Sequence, residues 1–253
     1  MRLGLCLSGG AARGVVHLGV MKALRELNVP INVISGVSSG AITAVFLSAG
    51  YSPEEVLRLV QELNVPKLIK PALNKGVLHN LALQKIFEQH LQGKTFADLS
   101  CKVIVSALDL VEGTTVYFTE GSLVQALMAS SAVPVLFKPV SWQGKQLVDG
   151  GIANNLPVEC LTGECDKIIG VHANPTPHNS EIPGIRQVTE RIFHLALNAN
   201  VRPRIAYCDL FLEPPKLKEY HIYALNKAQE IFEIGYEYTL LLYKEIQALV
   251  MEE

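Results

Sequence analysis

The chain of 253 residues carries 22 Lys and Arg against 24 Asp and Glu, a formal net charge of −2, and 49% of its residues are hydrophobic. Apolar content on that scale supplies the core of a large domain and excludes a disordered chain. Without a basic excess to neutralise phosphates, nucleic acid is excluded as the expected partner.

In chain order, the apolar run Leu3–Leu7 predicts a strand. A glycine-rich corner follows, and then Val16, Val20, Ala23, Leu24 and Leu27 recur at helical spacing. The pattern repeats with a strand near Asn32–Ser35, a corner at Gly36–Gly40 and a helix to about Ala49, stopped by Gly50. Ser52, Pro53 and Glu55 supply the cap, the first helical residue and the capping-box partner of another helix. Residues 64–79 read as irregular, and "NLALQKIFEQHL" as a helix. Cys101–Leu108 and "TTVYFTEG" predict strands, and "SLVQALMASSA" a helix ending before Pro134. Leu136–Trp142 and Gln146–Val148 predict two strands around Gly144, and "DKIIGVHA" another strand. Residues 184–200 and 226–250 are long helical patterns, with the strand "YCDLFLEP" between them. Alternating strands and helices place the chain in the α/β class, with a mostly parallel central sheet and helices on both faces. No repeat, low-complexity tract or linker divides residues 1–253, which read as a single domain.

The five cysteines (Cys6, Cys101, Cys160, Cys165 and Cys208) are scattered and include no CxxC pair. That points to reduced thiols rather than a disulfide framework, and away from zinc. Residues 28–53 carry no charge, but Pro30, Ser35, Gly36, Ser38, Ser39 and Gly40 fall inside them. Turn residues that dense do not cross a bilayer alone. The expectation is a soluble, cytoplasmic protein without a signal peptide, metal or cofactor.

Three constellations carry chemistry. Gly36-Val37-Ser38-Ser39-Gly40 is a G-x-S-x-G between a strand and a helix, the setting of a nucleophile elbow. A side chain held at so sharp a corner needs small neighbours two residues away on each side. The alternative is a tight turn with a capping serine. Ser8-Gly9-Gly10-Ala11-Ala12-Arg13-Gly14 exposes consecutive backbone N–H groups where a strand meets a helix, a ready anion site. A dinucleotide pyrophosphate would require glycine at Ala11 and an acidic residue at the end of the second strand, where Ile34-Ser35 stands. The oxyanion of an acyl-transfer intermediate remains as the second candidate, and a close strand–helix packing point as the third. Val148-Asp149-Gly150-Gly151-Ile152 ends an apolar strand in a carboxylate and a glycine turn. By itself it is an ordinary turn, and it gains weight because a serine nucleophile needs a base.

Taken in order, these stretches resemble the patatin-like phospholipases, a family that includes the esterase domain of neuropathy target esterase. The matching residues are Gly9, Gly10, Arg13 and Gly14, then Gly36, Ser38 and Gly40, then Asp149, Gly150 and Gly151. "ALDLVEGTTVYF", "ASSAVPVLFKPV" and "DGGIANNLPV" extend the likeness over most of the chain. The resemblance implies a three-layer α/β sandwich and hydrolysis of (lyso)phospholipid or related lipid esters through a Ser–Asp dyad without histidine. In that mechanism Ser38 Oγ attacks the carbonyl and Asp149 takes its proton. The N–H groups of Gly9, Gly10 and Ala11 hold the oxyanion, and Arg13 steadies the loop or adds charge. Ala11 departs from the family pattern, standing where its loop usually has a third glycine. A methyl group there is tolerable at negative φ and obstructive at positive φ.

Other residues compete with this set. His17 follows the glycine loop and could complete a triad, but packing is the simpler reading of each of the seven histidines. Asp109 is a rival base at the end of another strand, and Ser39 a capping residue. Asn154-Asn155 reads as the start of a helix, and Cys101 as buried. Leu68, Ile69, Leu73, Val77, Leu78 and Leu81 could line a lid over an acyl chain or belong to ordinary core. Ile231, Ile234, Tyr238, Leu241 and Leu242 form a stripe read as interior packing rather than membrane adsorption. The expected partner is a lipid or other ester substrate, with transient membrane-surface contact compatible with it. The rival functions are acyl transfer on the same fold, and a lipid- or nucleotide-binding module without activity.

Overall fold

The computed structural model describes residues 1–63, 81–134, 136–176 and 184–251. The strands are β1 (Leu3–Leu7), β2 (Val33–Val37), β3 (Lys102–Asp109), β4 (Thr114–Phe118), β5 (Val140–Trp142), β6 (Lys145–Asp149), β7 (Lys167–Val171) and β8 (Leu210–Leu212). The helices are α1 (Val16–Glu26), α2 (Ser39–Ser48), α3 (Pro53–Glu62), α4 (Leu81–Leu91), α5 (Leu123–Ser130), α6 (Ile185–Val201), α7 (Ala228–Leu241) and α8 (Tyr243–Met251). Strands β8, β7, β1, β2 and β3 run parallel in that order, and β4, β5 and β6 complete the sheet with antiparallel pairings.

Alternate strand residues feed two separate cores. Leu3, Leu5 and Leu7 of β1 point into the larger one, with Ile34, Val103, Val105, Ile169 and Val171 from neighbouring strands. Helices α1, α2, α3, α5 and α7 close over that face with Leu24, Val45, Val56, Leu127 and Ile231. Cys6, Val33, Ile104 and Ile168 point to the opposite face, covered by Leu156, Val158, Leu161 and Val201. The period-2 alternation thus serves two faces at once, which is why these strands read as unbroken apolar runs. The α/β class with helices on both faces is therefore observed.

One topological detail positions the site. Strand β4 occupies one edge of β3 along Val105–Asp109. The opposite edge is shared: β2 takes it as far as the pair Val37–Ser106, and β6 takes it from the next pair, Asp149–Ala107. Strands β2 and β6 therefore run head-on toward each other. Ser38 and Asp149, far apart in sequence, come to the same point because Ser38 directly follows β2 and Asp149 ends β6.

Local predictions hold closely where the signal was local. The Ser52–Glu55 capping box forms in both directions, with Pro53 opening α3. The strand predicted over 136–142 is confined to Val140–Trp142. The long helical pattern 226–250 is broken at Leu242 into α7 and α8. Ile231 and Ile234 of its stripe are buried, but Leu241 is 79% exposed, so interior packing accounts for only part of the stripe. Of the possible lid, only the helix beginning at Leu81 lies within the described residues. Among those residues, no helix is long and apolar enough to cross a membrane.

Candidate active site

The G-x-S-x-G stretch is the junction of β2 and α2. Ser38 takes φ 54° and ψ −122°, a region that a non-glycine residue enters only under constraint. The constraint is packing and one hydrogen bond. A Cβ on Gly40 would collide with the Leu7 carbonyl, and one on Gly36 would lie 2.7 Å from Ala41 N. The Ser38 N–H donates to Ser130 Oγ at 2.8 Å, so the last residue of α5 holds the corner from outside.

Asp149 ends β6 and is 7% exposed. Its N–H donates to Ala132 O at 3.0 Å, and its Oδ1 accepts the Gly151 N–H at 2.9 Å. Burial pushes its carboxyl up to about 6, against smaller lowering by hydrogen bonds from the Ser38 hydroxyl and the Gly151 N–H. Gly150 lies against the Ala107 backbone, fixing the turn on β3.

The glycine loop after β1 approaches from the other side. Gly9, Gly10, Ala11, Ser38, Asp149 and Gly151 share the wall of one open cleft with about 600 Å³ of empty space. Among the described residues, the N–H groups of Gly9, Gly10 and Ala11 make no hydrogen bond, unlike those of Ser8, Ala12 and Arg13 on either side. Ala11 adopts φ 48°, the positive value at which its methyl is a strain. A Cβ on Gly14 would overlap the Ser39 side chain, so the loop and α2 touch there. Val133, Pro134, Leu136, Ile152, Leu197 and Ile222 make much of the remaining wall apolar, and Asn155, Asn174 and Tyr223 complete it.

Arg13 does not line the cleft. It is 4% exposed, its Nε donates to Tyr220 O at 2.7 Å, and burial lowers its guanidinium to about 10. The adjacent Ala12 N–H donates to Ile222 O at 2.9 Å. Of the two roles open to Arg13, steadying a loop is the one this geometry serves. His17 is fully buried, and its Nε2 donates to Ser8 O at 2.8 Å, with burial lowering the ring to about 4. His172 Nδ1 pairs with Glu213 at 2.7 Å. No histidine lines the cleft among the described residues. Asp109 is paired with Lys145 at 2.9 Å, which holds its carboxyl below the usual range, and it too is outside the cleft.

Sequence reading missed the residues that hold these loops in place. Asn155 does not begin a helix. Its Oδ1 lies 2.6 Å from where a Cβ on Gly9 would be and 2.7 Å from where one on Gly151 would be, so it fills the gap between the two loops. Asn200 on α6 accepts the Asn155 N–H at 2.8 Å and donates to Gly151 O and Ile152 O at 3.1 Å each. Asn174 lies just beyond β7 and reaches back to Gly9 O at 2.7 Å. Among the described residues, no group of three or more His, Cys, Asp or Glu could hold a metal ion.

A three-layer α/β fold with a strained serine at a strand–helix corner, beside a buried carboxylate, defines the class to which the molecule is similar. A family model for patatin-like phospholipases matches residues 5–161, and the chain belongs to that family. An uncharacterized NTE family protein of Mycobacterium tuberculosis is 30% identical over 213 residues, covering 83% of this chain and 58% of the relative. Lysophospholipase NTE1 of Kluyveromyces lactis is 24% identical over 277 residues, covering 93% of this chain and 19% of the relative. The chain thus spans little more than half of one relative and a fifth of the other. The crystal structure of VipD from Legionella pneumophila shares the fold, with a TM-score of 0.61 at 15% identity over 96% of this chain and 66% of that one.

Proposed function

We propose that this protein is a serine acyl hydrolase acting on lipid carboxylic esters, of the lysophospholipase type, with residues 1–253 working as one domain. The observation that carries the reading is the meeting of β2 and β6 on one edge of β3, which sets the Ser38 hydroxyl against the buried Asp149 carboxyl. Ser38 Oγ attacks the ester carbonyl while Asp149 accepts its proton and passes it to the departing alcohol. The unpaired N–H groups of Gly9, Gly10 and Ala11 receive the oxyanion. Each such donor is typically worth about 2.7–4 kcal/mol. Water, activated by the same carboxylate, then releases the acyl group from Ser38.

A carboxylate of ordinary pKa is a weak base toward serine, so the raised value near 6 supports the role. The largely apolar wall from Val133 to Ile222 suits an acyl chain, and its family and the lysophospholipase relative support a lipid ester. With no histidine in the cleft among the described residues, two residues carry the proton transfer. The test is a fluorophosphonate probe followed by peptide mapping. Covalent label on Ser38, lost in Ser38→Ala and strongly slowed in Asp149→Asn, is the expected result. A folded wild-type protein that takes no label at Ser38 would overturn the reading.

A further inference from the structure

The peptide units that carry the proposed oxyanion donors are gripped by their carbonyl oxygens. Gly9 O accepts from Asn174 Nδ2 at 2.7 Å, from Ser8 Oγ at 3.0 Å and from Asn155 Nδ2 at 3.4 Å. Ser8 Oγ is itself fixed, accepting the Ala173 N–H at 2.9 Å. Ser8 O, on the preceding peptide, accepts from His17 Nε2 at 2.8 Å. Asn155 and Asn174 are both 2% exposed or less.

These contacts have a directional consequence. The peptides are trans, so each N–H points opposite to the carbonyl of the same unit. The peptide joining Gly9 to Gly10 is also the one freest to rotate, because neither residue has a Cβ to restrict it. A half-turn would exchange carbonyl for N–H and aim a lone pair where an oxyanion must sit. Amide donors on Gly9 O oppose that half-turn, and hydrogen bonds to a carbonyl polarise the N–H across the same unit.

We infer that Asn174, assisted by Asn155, is a positioning residue that locks the Gly9–Gly10 peptide with its N–H available to the reacting oxygen. The inference rests on the hydrolase reading and deepens it. In this role each amide acts through the Gly9 carbonyl, although both residues also line the cleft. Asn174 acts from the segment after β7 and Asn155 from the loop after β6, so the donor geometry is set by two segments outside the glycine loop. Asn155 also separates Gly9 from Gly151, which ties the loop to the turn carrying Asp149.

The experiment compares wild type, Asn174→Asp and Asn155→Asp on a short-chain ester, with a trifluoromethyl ketone and the matching methyl ketone as inhibitors. Ser38 Oγ adds to the carbonyl carbon of the trifluoromethyl ketone as Asp149 takes the hydroxyl proton, and the C=O π pair moves to the oxygen as an oxyanion, whereas the methyl ketone binds largely without adding. Asn174→Asp is isosteric and turns the donor into an acceptor facing Gly9 O. The expected result is a fall in kcat of about 10- to 100-fold, by analogy with groups that orient metal ligands without binding the metal. KM and methyl ketone affinity stay within about twofold, and trifluoromethyl ketone affinity falls in parallel with kcat. Asn155→Asp, which alters the longer bond, shows the same pattern at smaller size and carries the test if Asn174→Asp does not fold. Folded variants with wild-type kcat, or with both ketones weakened equally, overturn the inference. Fluorophosphonate labelling of wild-type Ser38 distinguishes that outcome from failure of the hydrolase reading.

Discussion

The backbone N–H of Ser38 donates to the hydroxyl of Ser130 at 2.8 Å, across 92 residues of chain. The strained corner therefore depends on the end of α5, a helix that contributes nothing to the cleft's chemistry in the proposed mechanism. Ser130→Ala removes the acceptor and leaves a partly buried N–H unpaired, which costs about 1 kcal/mol or more. The expected outcome is a melting temperature lowered by a few degrees and a slower labelling of Ser38, because the hydroxyl is aimed less well. Thermal unfolding followed by circular dichroism and the labelling rate check both. Unchanged labelling in Ser130→Ala would show that packing around Gly36 and Gly40 suffices.

Asp149 gives the pH dependence a definite sign. Its carboxyl is raised to about 6 in the folded protein, against about 3.9 in an unfolded chain. As a base it must be ionised, so kcat/KM climbs with pH below about 6 and levels above it. Stability moves the other way. The folded state holds this proton more tightly than the unfolded state, so the contribution is complete below pH ~4 and is lost as pH rises through about 6. Asp149→Asn is therefore expected to be inactive yet more stable than wild type at pH 7, by roughly 2–3 kcal/mol. Urea unfolding at pH 4 and pH 7 measures the difference, which should nearly vanish at the lower pH.

Gly14 and Ser39 form a pair that a double-mutant cycle can isolate. Gly14→Ala places a methyl group on the Ser39 side chain and is expected to destabilise by about 1–3 kcal/mol, the usual cost of overpacking. Combining it with Ser39→Gly removes both atoms the methyl would strike, Oγ and Cβ, and should recover part of the loss. Gly40→Ala has no such remedy, because its Cβ would meet the carbonyls of Leu7 and Ser8. Denaturant midpoints of the single and double variants decide the matter. A double variant no more stable than Gly14→Ala would count against direct contact.

Ala11 is a residue where glycine should be better. At φ 48° an alanine pays a steric cost of about 1–2 kcal/mol that glycine does not. Part of the gain on substitution is offset by the greater freedom of glycine in the unfolded chain. Ala11→Gly is expected to stabilise the protein by about 0.5–1 kcal/mol and to leave labelling of Ser38 at least as fast. A destabilised Ala11→Gly, measured by urea unfolding, would mean that the methyl group makes compensating contacts.

What the sequence determined by itself was local. The apolar run Leu3–Leu7, the serine–glutamate capping box at Ser52 and Glu55, and the glycines around Ser38 each act within a few residues, so their spacing is legible without coordinates. The candidate pair Ser38 and Asp149 was legible as two separate corners, and a family resemblance joined them. Only the tertiary structure decided that β2 and β6 share an edge of β3, because that depends on the registers of both strands on β3, between segments dozens of residues apart. The same holds for Ser130, Asn155, Asn174 and Asn200. An asparagine before a proline looks like any turn until the carbonyl it reaches is known. The break at Leu242 had no signal either, since Leu241-Leu242-Tyr243 contains neither glycine nor proline. Spacing encodes the elements because their hydrogen bonds are short-range in sequence. The site arises where those elements meet, and long-range packing and hydrogen bonding fix that.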